Sequence, residues 1–214
     1  MSEQRIKVIR RIDLETTPLF EGFIAKNGFD YLTHFENAGF FMTRDKVEKD
    51  VDFIQPIPYV IFINQKKQVF AYQRAKAGKD YGEKRLESKW SIGIGGHVED
   101  SDVVKDHGFD SPIINALQRE IREELPGFNQ FKLKQYGYLY SKADDVSRVH
   151  FGFICLAFAR TNFIPTNKEI VASGFMSFEE LEKLPNLENW SKALLPQVKT
   201  ALMVETAIEK NWRV

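Results

Sequence analysis

The stretch "QREIREELPGF", residues 118–128, decides how this chain is read. It closes the clearest helical pattern in the sequence, "SPIINALQREIREEL" (111–125). Ser111 is a good N-cap, Pro112 suits the first helical position, and Pro126-Gly127 ends the helix. Ile114, Leu117, Ile121 and Leu125 recur at helical spacing and predict one apolar stripe. On a helical wheel Glu120 and Glu124 fall together on a flank of that stripe, with Glu123 one step further round. Three carboxylates near a helix C-terminus oppose the macrodipole and repel one another. Two readings stay open. In one the cluster is a solvated face, balanced in part by Arg122 and by Arg119, which is spaced to pair with Glu123. In the other it holds a hard divalent cation, Mg2+ or Mn2+, whose preference for oxygen ligands turns repulsion into binding.

Working outward, "KWSIGIGGHVEDSD" (89–102) is a strand that runs into paired glycines and then an acidic loop. Glycines let a backbone approach a ligand closely. Before it, "YVIFIN" (59–64) and "QVFAYQR" (68–74) are β-rich runs joined by a short polar turn, a hairpin pattern. After the helix come "KLKQYGYLY" (132–140) and "VHFGFICLAFA" (149–159), both strand-like. "SFEELEKL" (177–184) carries a capping box, and "NWSKALLPQVKTALMVETAIEKNW" (189–212) reads as a helix containing Pro196. At the other end, "RIKVIRRI" (5–12) alternates as a strand, "GFDYLTHFENAGFF" (28–41) reads as a short helix and an apolar turn, and "RDKVEKDVDF" (44–53) is a helix or a solvated loop. Pro56 and Pro58 punctuate the chain and suggest a boundary. This mixture predicts an α/β fold, a mixed sheet flanked by helices in an α/β/α sandwich.

The segment from Gly96 to Phe128 resembles the Nudix box, G-x5-E-x7-R-E-U-x-E-E-x-G-U, where U is apolar. Arg119, Glu120, Ile121, Glu123 and Glu124 match its helix, Gly95-Gly96 match its glycine pair, and Trp90 stands where an aromatic often precedes it. The resemblance covers roughly residues 55–180, and it is nearest to a MutT-type phosphoesterase subgroup with an N-terminal extension. It divides the chain into an extension, 1–54, packed on a hydrolase domain, 55–214. The box is altered in its loop half. Asp102 stands where a glutamate belongs, sixteen residues rather than seven separate it from Arg119, and Pro126 replaces a glycine. Longer loops cost little entropy, so the metal-binding half is expected to survive.

The resemblance implies Mg2+- or Mn2+-dependent hydrolysis of a nucleoside diphosphate linked to another group. It implies Glu120, Glu123, Glu124 and the Gly96 carbonyl as metal ligands. It also implies Glu123 or Glu120 as the base for the attacking water, and Arg119 as the residue that orients the cluster. Glu99, Asp102, Asp144 and Asp145 are weaker candidates for a base. Arg74, Lys76, Lys79 and His97 are candidates for the substrate's phosphates. Two alternatives use the same fold: a sensor that binds a nucleotide without cleaving it, and an isopentenyl-diphosphate isomerase, suggested by the Gly-Gly-His run. The isomerase needs a cysteine where Gly95 stands, and the single cysteine, Cys155, lies far along the chain inside an apolar strand.

The whole chain of 214 residues sets the remaining bounds. Lys plus Arg and Asp plus Glu are both 30, and a formal net charge of zero argues against a nucleic-acid or membrane-surface binder. Eighteen phenylalanines predict aromatic packing inside. One cysteine, no signal-like start and no long apolar run predict a cytoplasmic protein without a membrane span. A small-molecule partner and a homodimer are what the resemblance implies.

Overall fold

The computed structural model describes residues 4–26, 28–74, 88–103, 111–129, 131–160, 163 and 170–208, with the side chains of 204–208 excepted. Lys76, Lys79, His107 and most of the long acidic loop lie outside these residues. Among the described residues ten strands form one mixed sheet. Its main path runs β10 (Ile170–Met176), β5 (Val69–Arg74), β4 (Phe53–Ile63), β9 (His150–Ala159), β8 (Phe131–Tyr140) and β2 (Gly22–Ala25). β4 and β9 are parallel, and their neighbours are antiparallel. β1 (Arg5–Arg10) pairs with β3 (Phe40–Thr43) and with the start of β4. Two short strands, β6 (Trp90–Ser91) and β7 (Ile94–Gly95), attach to β5 and β4.

Strand alternation explains the layers, because successive side chains point to opposite faces. Tyr59, Ile61 and Ile63 of β4, Val69 and Ala71 of β5, and Ile154 and Leu156 of β9 face one way. There they meet Leu181 of α5 (Phe178–Leu181) and Leu194, Leu195, Val198 and Leu202 of α6 (Asn189–Ile208). Val60, Phe62, Phe70, Tyr72, Cys155 and Ala157 face the other way, onto Leu117, Ile121 and Leu125 at α4 (Pro112–Glu124). Next to them, Tyr138, Tyr140, Phe151 and Phe153 pack with Tyr31 and Phe35 of α2 (Tyr31–Ala38) and with Ile113 and Ala116 of α4. The aromatic richness of the sequence goes into these clusters. In one, the rings of Phe35 and Phe151 lie 4.9 Å apart; in another, those of Phe70 and Phe163 lie 4.6 Å apart.

α4 begins as its sequence dictates, with Ser111 Oγ accepting from the Ile114 amide at 3.3 Å and Pro112 in the first turn. The predicted stripe holds at Leu117, Ile121 and Leu125 and is widened by Ile113 and Ala116, which are buried, while Ile114 is half-exposed. The cause is α2, which covers that side of α4 and adds a second contact face. α5 carries the expected capping box between Ser177 and Glu180, and α6 accommodates Pro196. The apolar turn expected at the end of 28–41 runs into the strand β3, and "RDKV" is the short helix α3 (Arg44–Val47). Among the described residues no helix is long and apolar enough to cross a membrane.

Pro56 and Pro58, which punctuate the sequence, sit inside β4, and the strand crosses residues 54 and 55 without a break. β9 holds one edge of β4 from Gln55 to Ile63. On the opposite edge β7 pairs with Tyr59 and Val60, and a Cβ added at Gly95 would strike the Pro58 carbonyl. Pro58 therefore turns its polar side away from β9, and Pro56, two residues earlier, does the same. Neither has an N–H to offer on that edge.

Candidate active site

The edge of β4 that carries the prolines opens onto a cleft of about 510 Å³. Gly95, Gly96, His97 and Glu120 form one wall, and Arg74 reaches it from the end of β5. A Cβ at Gly96 would collide with the Glu120 carboxylate as it stands, so the glycine gives this side chain the room to lie against the backbone.

Arg119 organises the wall. Its Nε and Nη2 each donate to Asp102, at 3.0 Å to Oδ1 and 3.0 Å to Oδ2. Nη2 also donates to the His97 carbonyl at 2.8 Å, and Nη1 donates to Glu120 Oε1 at 2.7 Å and Glu123 Oε2 at 3.3 Å. One planar fork thus ties together the loop after the glycines, the acidic 3-10 turn (Asp100–Val103) and the glutamate cluster. Asp102 is only 4% exposed and also accepts from the Glu99 amide at 2.8 Å. Its place in the altered box is therefore that of the arginine's anchor. Burial works to lower the Arg119 pKa, but the hydrogen bond to Asp102 and the charge of Glu120 outweigh it, and the net shift is upward.

Glu120 lines the cleft, Glu123 is mostly exposed, and Glu124 is half-buried. The Glu120 carboxyl is pushed above its usual range first by burial; Arg119 pulls it back, and Glu123 and Glu124 push it up again. Glu124 also helps raise the Tyr72 phenol. Burial is the main cause there and takes that phenol to about 12. Arg74 Nη2 donates to Tyr72 Oη at 2.9 Å, and the guanidinium lies 5.3 Å from the same ring centre. Among the described residues no three His, Cys, Asp or Glu side chains already stand in ligating geometry. The donors nonetheless suit a hard cation: they are all oxygens, they repel one another, and a glycine backbone leaves room beside Glu120.

His97 Nε2 pairs with Gln55 Oε1 at 2.8 Å. An amide oxygen only accepts, so Nε2 carries the proton and Nδ1 is left as an acceptor. Burial, then His150, Arg44 and Arg119, hold this ring neutral by lowering its pKa well below the usual value. Asp144 accepts from the amides of Val146 and Ser147 and from Asn189 Nδ2 at 2.7 Å, which makes it a loop clasp, and Asp145 pairs with Arg148. Cys155 is buried in β9 with its thiol pushed up to about 12 by burial, far from the thiolate an isomerase nucleophile requires.

The far wall was not legible in the sequence. It is built by Glu188 and Trp190 at the start of α6, together with Tyr59. Glu188 Oε1 accepts from Ser91 Oγ at 2.6 Å, Tyr59 Oη at 2.8 Å and Ser191 Oγ at 2.9 Å, all buried. Arg44 and Gln4 add residues from the N-terminal segment. None of these has a local motif, because the sheet alone brings them together.

No protein-family model matches the chain. Protein YmaB of Bacillus subtilis (strain 168) is 31% identical over 158 residues, which is 71% of this chain and 74% of YmaB. Among solved structures, Tm1382, described as a candidate Nudix hydrolase, is 30% identical with a TM-score of 0.70, and the match covers 94% of this chain and 99% of that one. A NUDIX hydrolase from Alicyclobacillus acidocaldarius, 14% identical with a TM-score of 0.51 over 68% of this chain and 90% of its own, shares the fold.

Proposed function

Because this chain belongs to the Nudix superfamily, we propose that it is a Mg2+- or Mn2+-dependent hydrolase of a nucleoside diphosphate linked to another group. The observation that carries this reading is the contact between Gly96 and Glu120, fixed by Arg119 and opening on the cleft. Glu120, Glu123 and Glu124, with the Gly96 carbonyl, would hold the cation. When bound, it supplies Lewis-acid neutralisation of the diphosphate charge.

The chain's own residues do the rest. Arg119 holds Glu120 and Glu123 at the wall and keeps the loop after Gly96 in register. Glu120 or Glu123 takes the proton of the attacking water. Arg74 offers its planar donors to the phosphate oxygens, and His97 offers Nδ1 to a substrate hydroxyl. Lys76 belongs to the same reading, though it lies outside the described residues. Residues 1–54 act as an extension packed on a hydrolase domain of 55–214.

The test is a phosphate-release screen of nucleoside diphosphate derivatives with Mg2+ and Mn2+, beside calorimetric Mn2+ titration of wild type and Glu124→Gln. Turnover that needs the metal, with weaker Mn2+ binding in the variant, supports the proposal. Equal affinities with no turnover on any derivative would reject it.

A further inference from the structure

The N-terminal segment is stitched to the active-site wall at the residues that follow the glycine pair. The Lys7 amide donates to the Val98 carbonyl at 2.7 Å, Ile6 bridges Glu99 in antiparallel fashion, and Gln4 Nε2 donates to Glu99 Oε1 at 2.9 Å. Gln4 in turn holds Arg44. Its carbonyl accepts from the Arg44 amide at 2.9 Å, and its Oε1 accepts from Arg44 Nη1 at 3.1 Å. Glu48 Oε1 accepts from Arg44 Nη2 at 3.1 Å. The guanidinium is thus aimed from two sides, and its side chain is 23% exposed. Both Gln4 and Arg44 line the same cleft as Gly96, Glu120 and Arg74. Among the described residues Arg44 uses two of the five N–H donors of a guanidinium, so its fork keeps donors for a ligand.

We propose that Arg44 is a substrate-binding residue supplied by the N-terminal segment, taking phosphate oxygens of an organic diphosphate at the side of the cleft across the glycine loop from Arg74. This rests on the reading of the site as a diphosphate cleft and adds the part the extension plays in it. Glu99, Glu120, Asp144, Asp145 and Glu188 also line the cleft, so an anion entering it meets many carboxylates. A fixed guanidinium offsets that repulsion and matches the geometry of phosphate. The extension is then part of the binding apparatus, and its β1 stitching keeps Arg44 in register with Gly96.

The experiment is calorimetric titration of the full chain with inorganic pyrophosphate in the presence of chelator, for wild type, Arg44→Gln, Arg44→Lys and Arg74→Gln. Wild type binds, Arg44→Gln binds on the order of tenfold more weakly at an unchanged melting temperature, and Arg44→Lys falls between them. On a hydrolysed substrate Arg44→Gln raises KM and leaves kcat nearly unchanged, which a merely structural role would not do. Equal pyrophosphate affinity in wild type and Arg44→Gln overturns the proposal, as does a wild type that does not bind pyrophosphate. Should Arg44→Gln fail to fold, equal affinity in wild type and Arg44→Lys overturns it instead. The hydrolase reading fails separately: if no organic diphosphate is cleaved but Arg44→Gln weakens pyrophosphate binding, Arg44 keeps its role and the reaction is lost.

Discussion

Two partly or fully buried carboxylates face each other across one cleft, and they are held in opposite ways. Glu188, on the α6 side, is 7% exposed and receives three hydroxyl donors on one oxygen. Glu120, on the α4 side, receives one arginine and has two more carboxylates as neighbours. Hydroxyls can satisfy a carboxylate without cancelling its charge, and they lock it into the fold. An arginine shared with Asp102 and Glu123 leaves the Glu120 cluster with more negative than positive charge. The first arrangement is suited to structure, and the second to a cation that comes and goes.

The sharpest way to break this contrast is a matched pair of isosteric changes. Glu120→Gln should cut turnover by ~10²-fold or more and weaken Mn2+ binding, because it removes a proposed ligand. Glu188→Gln should leave Mn2+ affinity where it was, as read by calorimetry. Equal losses of affinity in the two variants would erase the distinction between the walls.

Arg119→Gln tests what holds the α4 side together. It would leave Asp102 buried without its cation, and removing one partner of a buried pair costs about 3–5 kcal/mol. Denaturant unfolding should show that loss, and turnover should fall with it. Glu188→Gln should cost less, about 1–3 kcal/mol, since an amide meets three hydroxyls with one acceptor and an unwanted donor. A melting shift larger than that of Arg119→Gln would reverse the ranking.

Asp30 supplies a baseline away from the cleft. It caps α2 by accepting from the Thr33 amide at 3.2 Å and from Thr33 Oγ1 at 2.8 Å. The Thr33 hydroxyl is the main cause that holds its pKa below the ordinary value. A carboxylate lowered on folding stabilises above its unfolded pKa and loses that contribution as pH falls through the folded one. Asp30→Ala should therefore cost about 1 kcal/mol at neutral pH, and the gap to wild type should close in acid. A gap independent of pH would mean that the cap works without its charge.

The sequence made α4 legible because every signal there is local: cap, proline, stripe and acidic end. The same holds for the Gly95-Gly96 approach and for Arg74, each fixed by its place at a strand end. Asp102 stood out only as an imperfect glutamate, and its grip on Arg119, a partner distant in sequence, has no local signal. β2 and β10 carry no strand signal and β3 reads as a turn, because short runs such as "GFIA" become strands only when a partner edge is ready. For β2 that edge is β8, more than a hundred residues away. Glu188, Trp190 and Arg44 share the cleft with Gly96, yet nothing in their own neighbourhoods marks them. They are placed by the parallel pairing of β4 with β9 and by the stitching of β1, and neither has a local spelling.

The two prolines of β4 have a further consequence. A strand edge with exposed N–H groups invites any passing extended segment, whether from this chain during folding or from another molecule. At Pro56 and Pro58 that invitation is withdrawn on the side that faces the cleft. An added strand would find no N–H donor at Pro56 or Pro58, so the opening beside Ile57 is poorly suited to pairing with a further backbone. The prolines that punctuate the sequence are, in the folded protein, what leaves this stretch of edge without donors.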